Sequence, residues 1–326
     1  MNILQTKIER WPLAETFAIS RGAKTEAVTV TAEISDGAHR GRGECVPYAR
    51  YNETPESVLA DIEAMKDLLE TGLTRLDLQR LMPPGAARNA IDCALWDIEA
   101  QQSGKRVFEL AGLTEPQPLV TAFTISLDTP EKMAAAASKA ADWPLLKIKL
   151  GQPGDPERLK AIRAAAPNAE LIIDANEGWT PDNLAENFAA CGDAGVTLIE
   201  QPLPAGQDDA LATIKRPVPV SADESLHNNA SLTELARKYD MLNIKLDKAG
   251  GLTEALAQID QATHMGFAIM AGCMVGTSLA IAPALLVAQK ARVVDLDGPL
   301  WLVKDREPGL RYDKCRVYPA SKDLWG

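Results

Sequence analysis

Two rhythms of apolar and polar positions divide the chain. In the first third, residues 2–13, 26–35 and 39–46 alternate in the manner of strands, and the turn sequence SDGAHRG joins the last two. Helical spacing follows over about 55–70 and 86–103, so a small α+β domain is predicted. From Leu119 the rhythm changes to short apolar runs separated by amphipathic stretches: PLVTAFTIS, LLKIKL, AELIIDA, GVTLIEQ, PVPVSAD, MLNIKLD, GFAIMAG and ARVVDLD. Between them, 130–141, 156–166, 181–194 and 252–265 have helical spacing, several opening on a proline suited to a first turn. Eight such runs predict an α/β protein with a (β/α)8-type barrel. The expected organisation is an α+β capping domain over 1–117, a barrel carrying the catalytic residues over 118–299, and a tail, 300–326, that completes the cap. Trp301, Tyr312 and Trp325 are expected to pack the tail onto the N-terminal domain. Residues 266–288 carry no charge and are long enough to span a bilayer, but Gly272, Gly276, Thr277, Ser278 and Pro283 interrupt them. A buried strand, loop and helix is expected there.

The barrel rule places functional groups at the carboxyl ends of the strands. The apolar runs end in Lys147 and Lys149, then Asp174 and Asn176, Glu200, Asp223 and Glu224, Lys245 and Asp247, and Asp295 and Asp297. Taken alone, K-x-K reads as an exposed edge strand whose lysines discourage pairing. In a closed ring, however, Asp174, Glu200 and Asp223 stand on three consecutive strands about 4.8 Å apart, at equivalent heights. Three converging carboxylates repel unless a cation joins them. An oxygen-only donor set favours Mg2+ over zinc. The alternative, three carboxylates that each cap a following helix, stays open on these residues alone.

Strands two and six of an eight-stranded ring are opposed, so Lys149 and Lys245 would face each other across a substrate on that cation. A cation and the ammonium of Lys147 would both favour neutral Lys149, the form that acts as a base. Lys147, Asn176 and Glu224 then have supporting roles. Such an arrangement suits removal of a proton from the carbon beside a carboxylate, with the dianionic enediolate stabilised electrostatically. Enolase-superfamily sites, with a Lys or His base and Mg2+, are the general example of this design. One lysine on each face permits inversion of the stereocentre.

Asp295 and Asp297, taken to lie away from the metal carboxylates, suit a substrate ammonium, or else serve as a cap and a turn residue. Arg21 and Lys24, in the Gly-containing stretch ISRGAKTEA, could close over the barrel mouth and pair with a distal carboxylate. Thr124, in the first barrel run, is counted with these substrate-binding candidates. Lys245 could instead pair with Asp247 on its own face.

Composition narrows the classes. With 34 basic and 45 acidic residues the net charge is −11, which argues against a nucleic-acid or anionic-membrane partner. The five cysteines are scattered without C-x-x-C spacing, so neither a disulfide framework nor a zinc cluster is expected, and a reducing, cytoplasmic setting is. The opening residues show no secretory signal pattern. A homo-oligomer is compatible with all of this.

The set KIK, DANEGW, IEQPLP, ADES, NIKLDKAGG and DLDGP, with GAARNAIDCALWD in the N-terminal part, resembles the muconate-lactonizing subgroup of the enolase superfamily over almost the whole chain. Within it, the D-x-D of the last strand together with K-x-K and an opposed lysine looks like the dipeptide epimerases of the L-Ala-D/L-Glu type. The resemblance implies one Mg2+ held by Asp174, Glu200 and Asp223, acid/base work by Lys149 and Lys245, and Asp295 and Asp297 on the dipeptide's ammonium. It implies Arg21 for a glutamate side chain, with Lys24 as second candidate, and a role in murein peptide metabolism. A lyase of the o-succinylbenzoate synthase or cycloisomerase kind would share the metal and lysines but has no ammonium to bind. A sugar-acid dehydratase would need a His-Asp dyad, and the histidines are only His39, His227 and His264. A non-catalytic binding barrel would tolerate loss of the lysines or carboxylates, none of which is missing.

Overall fold

The computed structural model describes residues 2–227 and 231–326. The N-terminal part is a three-stranded antiparallel sheet, β1 (Ile3–Ile19), β2 (Gly22–Ser35) and β3 (Arg40–Cys45). The first two strands run well past their expected ends. The stretch expected as a mouth-closing loop is instead the tip of their hairpin, with Ile19 opposite Gly22 and an irregularity between Pro12 and Phe17. Gly22, at φ 143°, makes the tight reversal.

Helices α1 (Pro55–Ala64), α2 (Lys66–Glu70), α3 (Arg75–Leu81) and α4 (Ala86–Ser103) back the sheet. The single helix expected over 55–70 is two, and α3 has no counterpart in the sequence reading. The long helix α4 is buried along almost its whole length. It approaches β3 so closely that a Cβ on Gly43 would lie 2.0 Å from Ala90 O.

After α5 (Val107–Leu110) and β4 (Leu119–Val120) comes the parallel ring: β5 (Phe123–Ile125), β6 (Leu145–Lys149), β7 (Glu170–Asp174), β8 (Val196–Glu200), β9 (Val220–Ala222), β10 (Met241–Ile244), β11 (Ala268–Gly272) and β12 (Val293–Asp295). Ala122 N donates to Val294 O at 2.8 Å, linking last strand to first. Helices α6 (Pro130–Lys139), α7 (Asp155–Ala165), α8 (Pro181–Asp193), α9 (Leu232–Leu235), α10 (Leu246–Ala249), α11 (Leu252–His264) and α12 (Ser278–Ala288) surround it. The eight regular βα units of the expectation are not all complete: β8 is followed by a 3-10 turn at Asp209–Ala212, β9 by the four-residue α9, and β12 by a 3-10 turn at Gly298–Trp301. The uncharged segment resolves into β11, a loop and α12, and among the described residues no helix is long and apolar enough to cross a membrane.

The tail runs through a small sheet in which β13 (Tyr312–Asp313) pairs with β14 (Arg316–Val317), and β14 with β4. Trp301 packs with Leu13 and Ala27 of the cap hairpin, and Trp325 Nε1 donates to Cys93 O of α4. Tyr312 departs from the expectation, because its hydroxyl donates to Leu296 O of the barrel.

Candidate active site

Side chains alternate across a strand, so every second residue of each barrel strand points inward. The lower inward layer is apolar: Ala122, Leu145, Ile172, Leu198, Met241, Met270 and Val293 form one buried cluster. Two residues further along, the same face carries Thr124, Lys147, Asp174, Glu200, Asn243, Gly272 and Asp295. The polar site is therefore a layer floored by hydrocarbon, where charges are buried and must pair.

Pairing is dense. Lys149 Nζ lies 2.6 Å from Asp174 Oδ2. Lys147 Nζ lies 3.1 Å from the same oxygen, 2.6 Å from Glu200 Oε2 and 2.7 Å from Asp295 Oδ2. Lys245 Nζ lies 2.7 Å from Asp223 Oδ2 and 3.8 Å from Glu200 Oε1. Burial opposes charge on Lys147 and Lys245, but the carboxylates around each outweigh it and hold both ammonium groups well above the ordinary lysine range. Burial likewise opposes charge on Asp174 and Asp223, and the neighbouring lysines hold both low. In Glu200 burial and Asp174 win, and its pKa is raised.

Three expectations change here. Asp174 and Glu200 are level in the sheet, but Glu200 pairs with Ser221, so Asp223 stands two residues higher, just beyond β9. Asp295 is not apart from the metal carboxylates, because Lys147 bridges it to Asp174 and Glu200. Asp247 does not share a face with Lys245: the strand ends at Ile244, and Asp247, inside α10, accepts from Val46 N and Asn89 Nδ2 of the cap.

A cavity of about 480 Å³ opens above the layer. Lys149, Lys245, Asp223, Glu224 and Asn176 line it from the barrel, and Phe17, Arg21 and Lys24 line it from the hairpin tip. Ser20 Oγ donates to Asn176 O at 2.8 Å, fastening the tip to the barrel. Arg21 is fully engaged, donating to Glu224 Oε1 at 2.6 Å, Glu177 Oε2 at 3.0 Å, Tyr48 OH at 2.8 Å and Asn176 O at 2.6 Å. Asn176 and Glu177 hold the left-handed backbone, φ 44° and 64°, that turns these groups toward the tip.

Lys24 differs from Arg21. Half-buried, opposite Phe17 in the hairpin, it has no carboxylate partner among the described residues, and its Nζ lies 5.6 Å from the Phe17 ring centroid. Lys149 Nζ lies 5.7 Å from the same ring. Burial and Lys149 push the Lys24 pKa down to about 8. Asp297 accepts from Thr124 N at 2.8 Å and from Trp301 Nε1 at 3.4 Å. Thr124, Asp295 and Asp297 lie outside the lining of the cavity, whose wall on the β11 side is Cys273, Met274 and Val275.

Three buried residues absent from the sequence reading hold this layer. Asn243 Nδ2 donates to Glu200 Oε1 at 2.7 Å. Gln201 Oε1 accepts from Asp223 N at 2.9 Å and Ser225 N at 3.0 Å, fixing the ADES turn. Lys248 Nζ donates to Asp223 O and Asn243 O. Their only signal was polarity inside otherwise apolar, glycine-bounded motifs.

Among the described residues no three His, Cys, Asp or Glu side chains are already drawn together around one point, since lysine ammonium groups stand between the carboxylates. The donor set nevertheless fits a hard divalent cation. Asp174, Glu200 and Asp223 offer only oxygen, and the buried Glu200 Oε2 has no aligned hydrogen-bond donor, although Lys147 Nζ lies 2.6 Å from it.

Comparison with known proteins places the chain. Residues 3–112 match the mandelate racemase / muconate lactonizing enzyme N-terminal domain, and residues 131–311 match the enolase C-terminal domain-like family. The L-Ala-D/L-Glu epimerase of Escherichia coli K12 is 47% identical over 93% of this chain and 95% of its own length. An N-acetyl-D-glutamate racemase of Pseudoalteromonas is 45% identical over 90% and 93%. Among solved structures, an enolase family member from Agrobacterium tumefaciens with homology to dipeptide epimerases, holding sodium and L-Ala-L-Glu, is 55% identical, with a TM-score of 0.98 over all of both chains. A dipeptide epimerase from Methylococcus capsulatus complexed with Mg and L-Arg-D-Lys is 30% identical, with a TM-score of 0.86 over 98% of each chain. With both halves matched and relatives this close over nearly their whole length, the chain belongs to the enolase superfamily, as a member with the mandelate racemase/muconate lactonizing enzyme domain pair.

Proposed function

We propose that the protein is a Mg2+-dependent dipeptide epimerase of the L-Ala-D/L-Glu type, inverting the α-carbon of the C-terminal residue. The observation that carries this reading is the placement of Lys149 and Lys245 at the ends of the opposed strands β6 and β10, lining one cavity, with carboxylates on the arc between them. Asp174, Glu200 and Asp223 would hold the metal. Held by them, Mg2+ would supply positive charge that favours loss of a proton beside a carboxylate.

The rest falls to the chain's own residues. Asp174 and Asp223, which pair with the Lys149 and Lys245 ammonium groups here, would be committed to the cation instead; one lysine, as the neutral amine, then takes the α-proton from its face, and the other, as ammonium, returns a proton to the opposite face, which reverses the configuration. Lys147 keeps Asp174, Glu200 and Asp295 in one charge-balanced lattice. For the dipeptide ammonium we assign Asp295 and Asp297 on the family's D-x-D alone, since both lie outside the cavity lining, Asp295 against Lys147 and Asp297 on Thr124 N and Trp301 Nε1. For the distal carboxylate we favour Lys24 over Arg21, because Arg21 is spent on the barrel while Lys24 faces the cavity without a carboxylate partner. Residues 1–117 with 300–326 form the cap and 118–299 the catalytic barrel of a cytoplasmic enzyme that acts on murein peptides, and a homo-oligomer is compatible with this.

The test is incubation with Mg2+ and a dipeptide library in D2O, following deuterium at the C-terminal α-carbon by mass. L-Ala-L-Glu is expected to exchange and epimerise. N-acetylglutamate, which lacks the ammonium, is expected to turn over far more slowly. Turnover of N-acetylglutamate alone would replace the dipeptide reading with an N-acyl amino acid racemase, and turnover of a succinylbenzoate precursor alone would replace it with a lyase.

A further inference from the structure

Lys248 is a buried cation that takes no part in the acid/base chemistry yet reaches a metal-ligand candidate. Lys248 is 3% exposed and does not line the substrate cavity. It is delivered by a local device: Lys245 caps the single turn α10, and Ala249 N donates to Lys245 O at 2.9 Å, so the chain doubles back beneath the strand end. Gly250 and Gly251, at φ 79° and 114°, then pass so close to α4 that a Cβ on either would lie 2.5 Å from Arg88 or Asp92. The turn is thus pinned to the cap.

From there Lys248 Nζ donates to Asp223 O at 2.5 Å and to Asn243 O at 3.1 Å. It also stands 2.6 Å from Asp223 Oδ1, a charge contact lying off the hydrogen-bond axis. Asp223 Oδ2 points the other way, to Lys245 at 2.7 Å. The two oxygens of this carboxylate are therefore divided between a lysine outside the cavity and a lysine inside it. Glu200 is divided in the same manner, with Oε1 held by Asn243 and Oε2 beside Lys147.

We propose that Lys248 is a positioning residue that reserves Asp223 Oδ1 and so restricts Asp223 to binding a cation through one oxygen. This rests on the metal reading above and extends it to selectivity. Mg2+ demands a small, regular octahedron, whereas Ca2+ accepts more oxygens and bidentate carboxylates. A carboxylate with one oxygen occupied suits the first and handicaps the second. The charge of Lys248 acts alike on both divalent ions, so the ratio of their affinities isolates the geometric effect from the electrostatic one.

The experiment titrates metal-free protein with Mg2+ alone and Ca2+ alone by calorimetry, for the wild type, Lys248→Met and Lys248→Gln. Lys248→Met is expected to raise the ratio of Ca2+ to Mg2+ affinity by about ten-fold, the lower end of the scale on which removing a partner behind a metal ligand changes metal affinity. Lys248→Gln, which keeps a donor without the charge, is expected to stay near the wild-type ratio. Circular dichroism identifies a variant that has not folded. Should Lys248→Met not fold, Lys248→Ala takes its place: a ratio raised about ten-fold upholds the inference, and an unchanged ratio overturns it. A folded Lys248→Met in which both affinities change by the same factor, or not at all, overturns this inference alone. A wild type that binds neither ion overturns the metal reading and the inference with it.

Discussion

Replacing Lys24 with methionine separates substrate selection from chemistry. The substitution keeps the length and most of the volume of the side chain and removes only the charge facing the cavity. Truncating one partner of a buried charge pair costs about 2–5 kcal/mol. Lys24 is half-buried and keeps some solvent contact, so the lower end, about 2–3 kcal/mol, applies, or roughly 30- to 150-fold in kcat/KM. The loss should fall on L-Ala-L-Glu and spare L-Ala-L-Leu, measured side by side by polarimetry or exchange in D2O. The wild type carries its own control. Burial and Lys149 lower the Lys24 pKa to about 8, so the charge assigned above to the distal carboxylate is present below that pH and lost above it. Because kcat/KM reports the free enzyme, the ratio of kcat/KM for Glu over Leu dipeptides should fall as pH rises through 8. Equal losses for both substrates in Lys24→Met, with a flat pH ratio, would refute the assignment. So would a selective loss in Arg21→Met instead.

Lys149→Ala and Lys245→Ala should each reduce epimerisation by at least ~10³-fold, and each should leave deuterium exchange from one epimer only; normal exchange from both epimers in either variant would falsify the base assignment. Arg306→Met should destabilise the protein by about 3 kcal/mol, read as a several-degree fall in Tm, because Arg306 bonds Glu9 and Glu44 and its loss strands the fully buried Glu44 carboxylate. Gly272→Ala should weaken Mg2+ binding by about ten-fold, seen by calorimetry, since a Cβ there would lie 2.5 Å from Asn243 Oδ1 and push Asn243 off Glu200.

Much of the fold was legible because barrel strands and helices differ in period. The bounds of α4 are those read from spacing, and α11 and α8 end one residue short of it. Periodicity carries no signal where a helix is shorter than the pattern needs, as at α9 and α10, or where one apolar stretch serves two sheets. Leu119–Val120 joins the tail strands and Phe123–Ile125 the barrel, with only two residues between them to signal the change. The hairpin tip was misjudged for a related reason. Its second strand opens GAKTEA, poor in β-branched residues, and pairing with β1 rather than intrinsic preference makes it a strand.

For the site, the sequence exposed what lies on strand period and concealed what depends on the third dimension. Lys147, Asp174, Glu200 and Asp295 could be placed on one inward face because alternation fixes direction. Nothing in that alternation says how far strands are staggered, so Asp223 was set level with Glu200 when it stands two residues higher. That offset gives it a second flank, which Lys248 fills from outside the cavity while Lys245 faces it from inside. The choice between Arg21 and Lys24 was concealed in the same way. Both are cations at the tip, and only the partners reached across more than 150 positions of sequence show that one anchors the hairpin to Glu224 and Glu177. Arg21 and Lys24 are three residues apart, and with Arg21 fixing the tip, Lys24 stands at the cavity wall without spending its own charge.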